Sequence, residues 1–325
     1  MTTNTTTYTN PVWPEYFADP FVLRSGDFYY AYGTGAPVNG RAFPLLRSPD
    51  LAHWESLGGA LQPVAGMDNA PYWAPEVIER DGRFFLYYST ASGGSDDTHR
   101  LRVAVADNPA GPFLDSGSLF LPTEDFSIDA HPFRDPRDGA YYLFFAKDFF
   151  DERVGTALAV VRLADDMIHA EGPVQTVLRP SGDWQIFERN RAIYNRVWDA
   201  WYTVEGAFVV FHEGKYWCFY SGGRYENETY GVGVAVSDSV LGPYVEPDAG
   251  PVVLHGVPPH VIGPGHNSVV LGPDGTTEFI VYHAWDQAMT ARRMCIDPLA
   301  WTPDGPRCLG PTWTPQPIWA VVPTL

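Results

Sequence analysis

The chain has 325 residues, 45% of them apolar and 15% aromatic, enough to bury a sizeable core. Its formal net charge of -18, with only 21 Lys plus Arg, excludes nucleic acid and anionic membrane surfaces as partners, since both need clustered bases, and leaves neutral or cationic ones. Low charge content (18%) with 31 Gly and 30 Pro predicts short strands joined by tight turns, an all-β class.

At the N-terminus, Met1-Thr2-Thr3-Asn4 begins a stretch with neither a basic region nor an apolar run, so no signal peptide is predicted. No later stretch is long enough to span a bilayer, and the expectation is a soluble, cytoplasmic chain. A first repeat unit opens at residues 16–23, turns at Arg24-Ser25-Gly26-Asp27 and returns through 28–34 as an aromatic strand. The second opens at 72–78, turns at Asp81-Gly82 and returns through 84–89. The third runs 127–133, turns around Asp138-Gly139 and returns through 141–146. In the fourth, residues 201–211 lead to the turn His212-Glu213-Gly214-Lys215 and return through 216–220. The fifth runs 265–270, turns at Pro273-Asp274-Gly275 and returns through 279–283.

Each unit has a second half. Residues 102–106 lead to Gly111-Pro112-Phe113 and residues 233–237 to Gly242-Pro243-Tyr244, two copies of a small-apolar strand with a Gly-Pro-aromatic corner. Looser copies lie at 43–48 and 157–161. Five such units, roughly fifty to seventy-five residues apart and each worth about four strands, predict a five-bladed β-propeller occupying residues 1–325 as a single domain. Its first strands line a central channel, where Asp19, Glu76, Asp129, Glu205 and His266 are expected to converge from aligned strand starts. The three cysteines, Cys218, Cys295 and Cys308, form no disulfide framework, and Cys218 reads as a small buried hydrophobe. His53 falls at a blade corner and is assigned a structural role. The Trp- and Arg-rich connection 181–201 either caps the funnel or packs on the surface.

Two or three carboxylates around an aromatic funnel with no basic cluster suit hydrolysis of a neutral glycoside: one acid protonates the leaving oxygen while another activates water. Acids at strand starts also serve as turn and cap acceptors, the alternative reading for any one of them.

The opening Tyr16-Phe17-Ala18-Asp19-Pro20-Phe21, the tetrapeptide Trp73-Ala74-Pro75-Glu76, Ser127-Ile128-Asp129-Ala130, Val204-Glu205-Gly206 and Gly265-His266-Asn267-Ser268 resemble, in order, the motifs of glycoside hydrolase family 43. The resemblance spans roughly Asn10 to Trp313. It implies a five-bladed propeller that hydrolyses arabinose or xylose linkages with inversion. It further implies Asp19 as general base, Glu205 as general acid and Asp129 as the residue that tunes and orients that acid. By the same match Trp73 is an aromatic wall of the sugar subsite. Arg292 reaches a sugar hydroxyl, with the adjacent Arg293 leaving the register open by one. His266 is expected to help hold a calcium ion with waters in the channel, or else to hydrogen-bond Glu76 or Asp129 without metal.

The settings of the three acids agree with those roles. Glu205, between Val204 and Gly206, is expected to be partly desolvated and so to keep its proton, with Asp129 adding like-charge pressure; Asp19 is expected to stay ionised. Glu76 reads as a structural hydrogen-bond anchor. Asp135, in Arg134-Asp135-Pro136, reads as a turn residue although it mimics a motif of related fructoside-hydrolysing families. The sequence thus points to an exo-acting hydrolase releasing terminal α-L-arabinofuranose or β-D-xylose from plant cell-wall oligosaccharides. The alternatives are an endo-1,5-α-L-arabinanase and a non-catalytic carbohydrate-binding propeller.

Overall fold

The computed structural model describes residues 3–91, 95–248 and 250–321. Aromatic and β-branched runs broken by Gly-containing turns favour strands, and they pair as antiparallel blades. Blade 1 comprises Ala18–Ser25, Phe28–Thr34, Ala42–Ser48 and Glu55–Leu61. Blade 2 comprises Tyr72–Arg80, Arg83–Ala91, His99–Ala106 and Leu114–Leu119, and blade 3 Ser127–Arg134, Tyr141–Phe149, Gly155–Leu163 and Ala170–Leu178. Blade 4 comprises Val204–His212, Lys215–Gly222 and Gly231–Ser237, and blade 5 Ile262–Leu271, Glu278–Trp285, Arg292–Thr302 and Gly305–Cys308. The inner strand of each blade packs on that of the next, and blade 5 closes onto blade 1, giving the five-bladed β-propeller expected from the repeats.

Two features depart from four strands per blade. Blade 4 has three, with the single bridges Val236↔Val245 and Val232↔Leu254 along its outer edge. Blade 3 carries an added hairpin, Ile186–Ile193 with Arg196–Tyr202, attached through the parallel pair Gly155↔Tyr202; this is the long connection noted in the sequence. Thr3–Tyr8 and Gln316–Val321 form a separate two-stranded sheet that joins the described ends. The Gly-Pro corners seat Phe113 and Tyr244 in the core between blades, and Cys218 is a fully buried free thiol.

Every inner strand breaks register at the same point: between Ala18 and Phe21, Trp73 and Glu76, Ile128 and His131, Glu205 and Phe208, and Gly265 and Ser268. Within each break one residue is left-handed: Asp19 (φ 50°), Ala74 (47°), Asp129 (56°), Gly206 (59°) and His266 (50°). A bulge takes an N–H out of the ladder, and a buried N–H needs another acceptor. In four blades the neighbouring blade supplies it. Asp19 N donates to His283 Nδ1 (3.1 Å), Ala74 N to Thr34 Oγ1 (2.8 Å), Gly206 N to Asp129 Oδ2 (3.1 Å) and His266 N to Ser221 Oγ (2.7 Å).

This frame corrects the strand-start alignment drawn from the sequence. Asp19, Asp129 and His266 are equivalent, whereas Glu205 stands one residue before the left-handed position and Glu76 two residues after it. The bulge inserts a residue into the alternation, so matching acid to acid slips the register.

Glu76 is buried, and its Oε2 lies 2.6 Å from His131 Nδ1. Val209 N donates to His131 Nε2 (3.0 Å), so the ring hydrogen sits on Nδ1 and points at Glu76. The network ties blades 2, 3 and 4 beneath the channel mouth. Asp135 closes its turn by accepting Arg137 N (2.9 Å), and both its oxygens accept the Tyr216 hydroxyl of blade 4 (2.9 and 2.7 Å). Similarly, His53 caps an exposed corner against Asp50. Removing one partner of a buried pair costs about 3–5 kcal/mol. Glu76→Ala is therefore expected to lower the unfolding free energy by about that amount in urea titration, and Glu76→Gln, which keeps an acceptor for His131, to lower it less.

Candidate active site

At one end of the channel a cavity of about 120 Å³ is lined by Asp19, Asp129, Glu205, His266, Arg292 and Trp73, among others. An engineered apolar cavity of ~150 Å³ holds a benzene, so this space suits one small ring. Trp73, Ile128, Glu205 and Tyr225 also line an outer pocket of about 290 Å³. Glu205 thus stands on the boundary between the two spaces. Asp19 and Asp129 face only the inner one.

The three acids sit in different electrostatic settings. Burial alone would raise the Asp19 carboxyl, but Arg292 Nη1 lies 3.2 Å from its Oδ1 and outweighs that cost. With His266 Nδ1 3.5 Å away adding to the effect, Asp19 is held far below the usual carboxylate range. Glu205 is pushed up to about 7, chiefly by burial and also by the charge of Asp19, although Tyr230 OH donates to its Oε1 (2.7 Å) and favours the carboxylate. Asp129 is likewise raised, by burial and then by Glu205 and Asp19, against the opposing hydrogen bond from Gly206 N. Glu205 and Asp129 therefore keep a proton between them near neutral pH. Of the two, Glu205 reaches the boundary with the outer pocket.

Alternation along Arg292–Thr302 settles the arginine register. Arg292 turns in to Asp19, its guanidinium lying against Tyr16, Tyr225 and Trp285. Arg293 instead bonds Pro14 O and Asp286 Oδ2. Trp73 stacks on the buried His99 with ring centroids 3.5 Å apart and walls both spaces.

Two residues not singled out from the sequence help build the site. Tyr230 bonds Glu205 and stacks on His283 with ring centroids 5.8 Å apart. His283 accepts Asp19 N, and burial pulls its pKa down to about 4, so it stays neutral. His283 lies near the end of an aromatic strand and Tyr230 precedes a small-apolar one; a polar tip within a buried run was the available signal.

His266 is buried, with Nδ1 3.5 Å from Asp19 Oδ1 and 3.8 Å from Asp129 Oδ2. Its ring offers a metal at most its other nitrogen, and calcium takes six to eight oxygens. Among the described residues no three ligating side chains come together around a common point. A calcium ion held here would therefore take most of its oxygen ligands from water, and the hydrolytic step uses no calcium.

Comparisons with known proteins identify the family and the fold. The profile of glycosyl hydrolases family 43 matches residues 8–306. An extracellular exo-α-(1→5)-L-arabinofuranosidase of Streptomyces avermitilis is 25% identical, aligned over 85% of this chain and 56% of its own, so the chain spans just over half the length of that relative. A β-D-galactofuranosidase of Aspergillus niger is 28% identical over 91% of this chain and 83% of its own. The crystal structure of a thermostable family-43 glycoside hydrolase superposes with a TM-score of 0.83 at 33% identity, covering 96% of this chain and 98% of that one. A profile match over nearly the whole chain and a shared propeller, around acids in opposed electrostatic settings, place this protein in glycosyl hydrolases family 43.

Proposed function

We propose that this glycosidase is an inverting, exo-acting hydrolase that releases terminal α-L-arabinofuranose or β-D-xylose from neutral oligosaccharides. The observation that carries the reading is the position of Glu205 between the two pockets. A terminal sugar in the inner cavity places its glycosidic oxygen at that boundary, where Glu205 can protonate it. Asp19, kept ionised by Arg292, takes the proton of a water that attacks from the other face of the ring. Asp129 holds the Gly206 N–H beside Glu205 and, through its charge, keeps the proton on the acid. Trp73 offers its face to the sugar, and Arg292 can donate to a hydroxyl as well as to Asp19.

Inner space for a single ring supports release from chain ends. An endo-arabinanase would need room for sugars on both sides of the acids, and a probable arabinan endo-1,5-α-L-arabinosidase of Aspergillus oryzae, 26% identical over 82% of this chain, keeps that alternative in the test. Calcium held by His266 and water remains a separate proposal, supported by the one channel position in this register that is an imidazole beside two carboxylates.

Aryl arabinofuranoside, xyloside and galactofuranoside substrates, with debranched arabinan, test the reading. Pentose release from aryl pentosides and short oligomers is expected, with the first-formed sugar seen by NMR in the anomeric configuration opposite to the substrate. Retention, or rapid loss of arabinan viscosity before monosaccharide appears, would contradict it. Glu205→Ala should cost about 10²–10⁴ in rate on oligosaccharides and far less on activated aryl glycosides, which leave without a proton; equal losses would mean Glu205 is not the acid. For calcium, chelator should lower the melting temperature and added calcium restore it in proportion to the logarithm of concentration, a response lost in His266→Ala. Indifference to chelator would remove the metal.

A further inference from the structure

The outer pocket carries recognition chemistry that the hydrolytic step leaves unused. One wall is the added hairpin on blade 3, which contributes Phe187, Arg191, Tyr194 and Trp201. Beside it lies Asp148, on the second strand of blade 3. Tyr194 OH donates to Asp148 Oδ2 (2.5 Å) and fixes the carboxylate, while Oδ1 is buried with no hydrogen-bond partner among the described residues. A buried acceptor left open is costly unless something fills it. The Arg191 guanidinium lies over the rings of Phe187 (4.5 Å) and Trp201 (5.1 Å), so the contacts it makes here use its flat face. The N–H donors of a guanidinium point outward from its edge. Arg191 lines the same pocket as Asp148 and Glu205.

A cation clamped on aromatic rings and a fixed carboxylate with one oxygen open among the described residues, lining one pocket, match the alternating donors and acceptors of a neutral polyol. They lie on the far side of Glu205 from the inner cavity. We propose that the outer pocket is a subsite for the leaving-group sugar, with Arg191 and Asp148 as its hydroxyl-binding pair and the blade 3 hairpin as the element that sets preference for the penultimate residue. This rests on Glu205 being the acid that separates the two sugars. The function of the 181–201 connection is then to hold the leaving group rather than to seal the funnel.

Calorimetric titration of the Glu205→Gln protein tests this without turnover. Arabinose is compared with α-1,5-arabinobiose, and xylose with xylobiose. In at least one series the disaccharide should bind at least tenfold more tightly than the monosaccharide. That gain should fall below threefold when Arg191→Met is added. Asp148→Asn serves as an independent second variant, and the melting temperature of each reports its folding. Equal affinity of monosaccharide and disaccharide in both series, or a gain that survives in both variants, would overturn the proposal. Failure of the hydrolase reading is distinguishable, because it would appear as no turnover of any glycoside by the wild-type chain, whatever the binding series shows.

Discussion

The site depends on one repeated hydrogen bond: the N–H of a left-handed residue in the inner strand, taken out of its own ladder by a bulge and accepted by a side chain of the adjoining blade. A residue forced to positive φ costs about 1–2 kcal/mol unless it is Gly or a short polar residue. Three of the five positions carry Asp or His and one carries Gly, with Ala74 the exception. The same bulges that turn these side chains into the channel also lock neighbouring blades together. In blade 4 the acceptor is Asp129 itself, so the residue that steadies the Gly206 backbone is also the one whose carboxyl the charge of Glu205 raises. Fold closure and acid chemistry share a bond there.

From that frame the electrostatics follow with few further parts. Asp19 and Asp129 are equivalent in the propeller and nearly equally buried, yet their protonation tendencies diverge because only Asp19 has Arg292 against it. The guanidinium is itself enclosed by Tyr16, Tyr225 and Trp285, which withdraw it from water and strengthen its hold on one carboxylate. One cation placed asymmetrically among three acids is enough to make one a base and leave a proton between the other two.

Much of the blade order was legible because each hairpin carries its own signal, a Gly-containing turn between aromatic runs, and because five copies reinforce one another. The channel residues were legible as a group for the same reason. Their relative register was not. Bulges leave no mark on a pattern of acids, and the clue lay in Gly206, the residue that tolerates positive φ, rather than in Glu205 beside it. Arg292 and Arg293 could be told apart only by strand pairing. His283 and Asp148 come from second strands, Tyr230 from just before a third strand and Arg191 from the added hairpin, where a polar residue in an aromatic run looks like core until the fold brings it to the acids.

The central claim is that Glu205 holds a proton near neutrality while Asp19 does not. Carbon-13 carboxyl titration by NMR reads this directly, with each signal assigned by loss in Glu205→Gln or Asp19→Asn. The account predicts that Glu205 titrates near 7 and that Asp19 shows no transition down to the acid limit of the folded protein. In Tyr230→Phe, which loses a donor to the carboxylate, the Glu205 transition should move to higher pH. A Glu205 transition in the ordinary carboxylate range, or an Asp19 that takes up its proton at higher pH than Glu205, would contradict it.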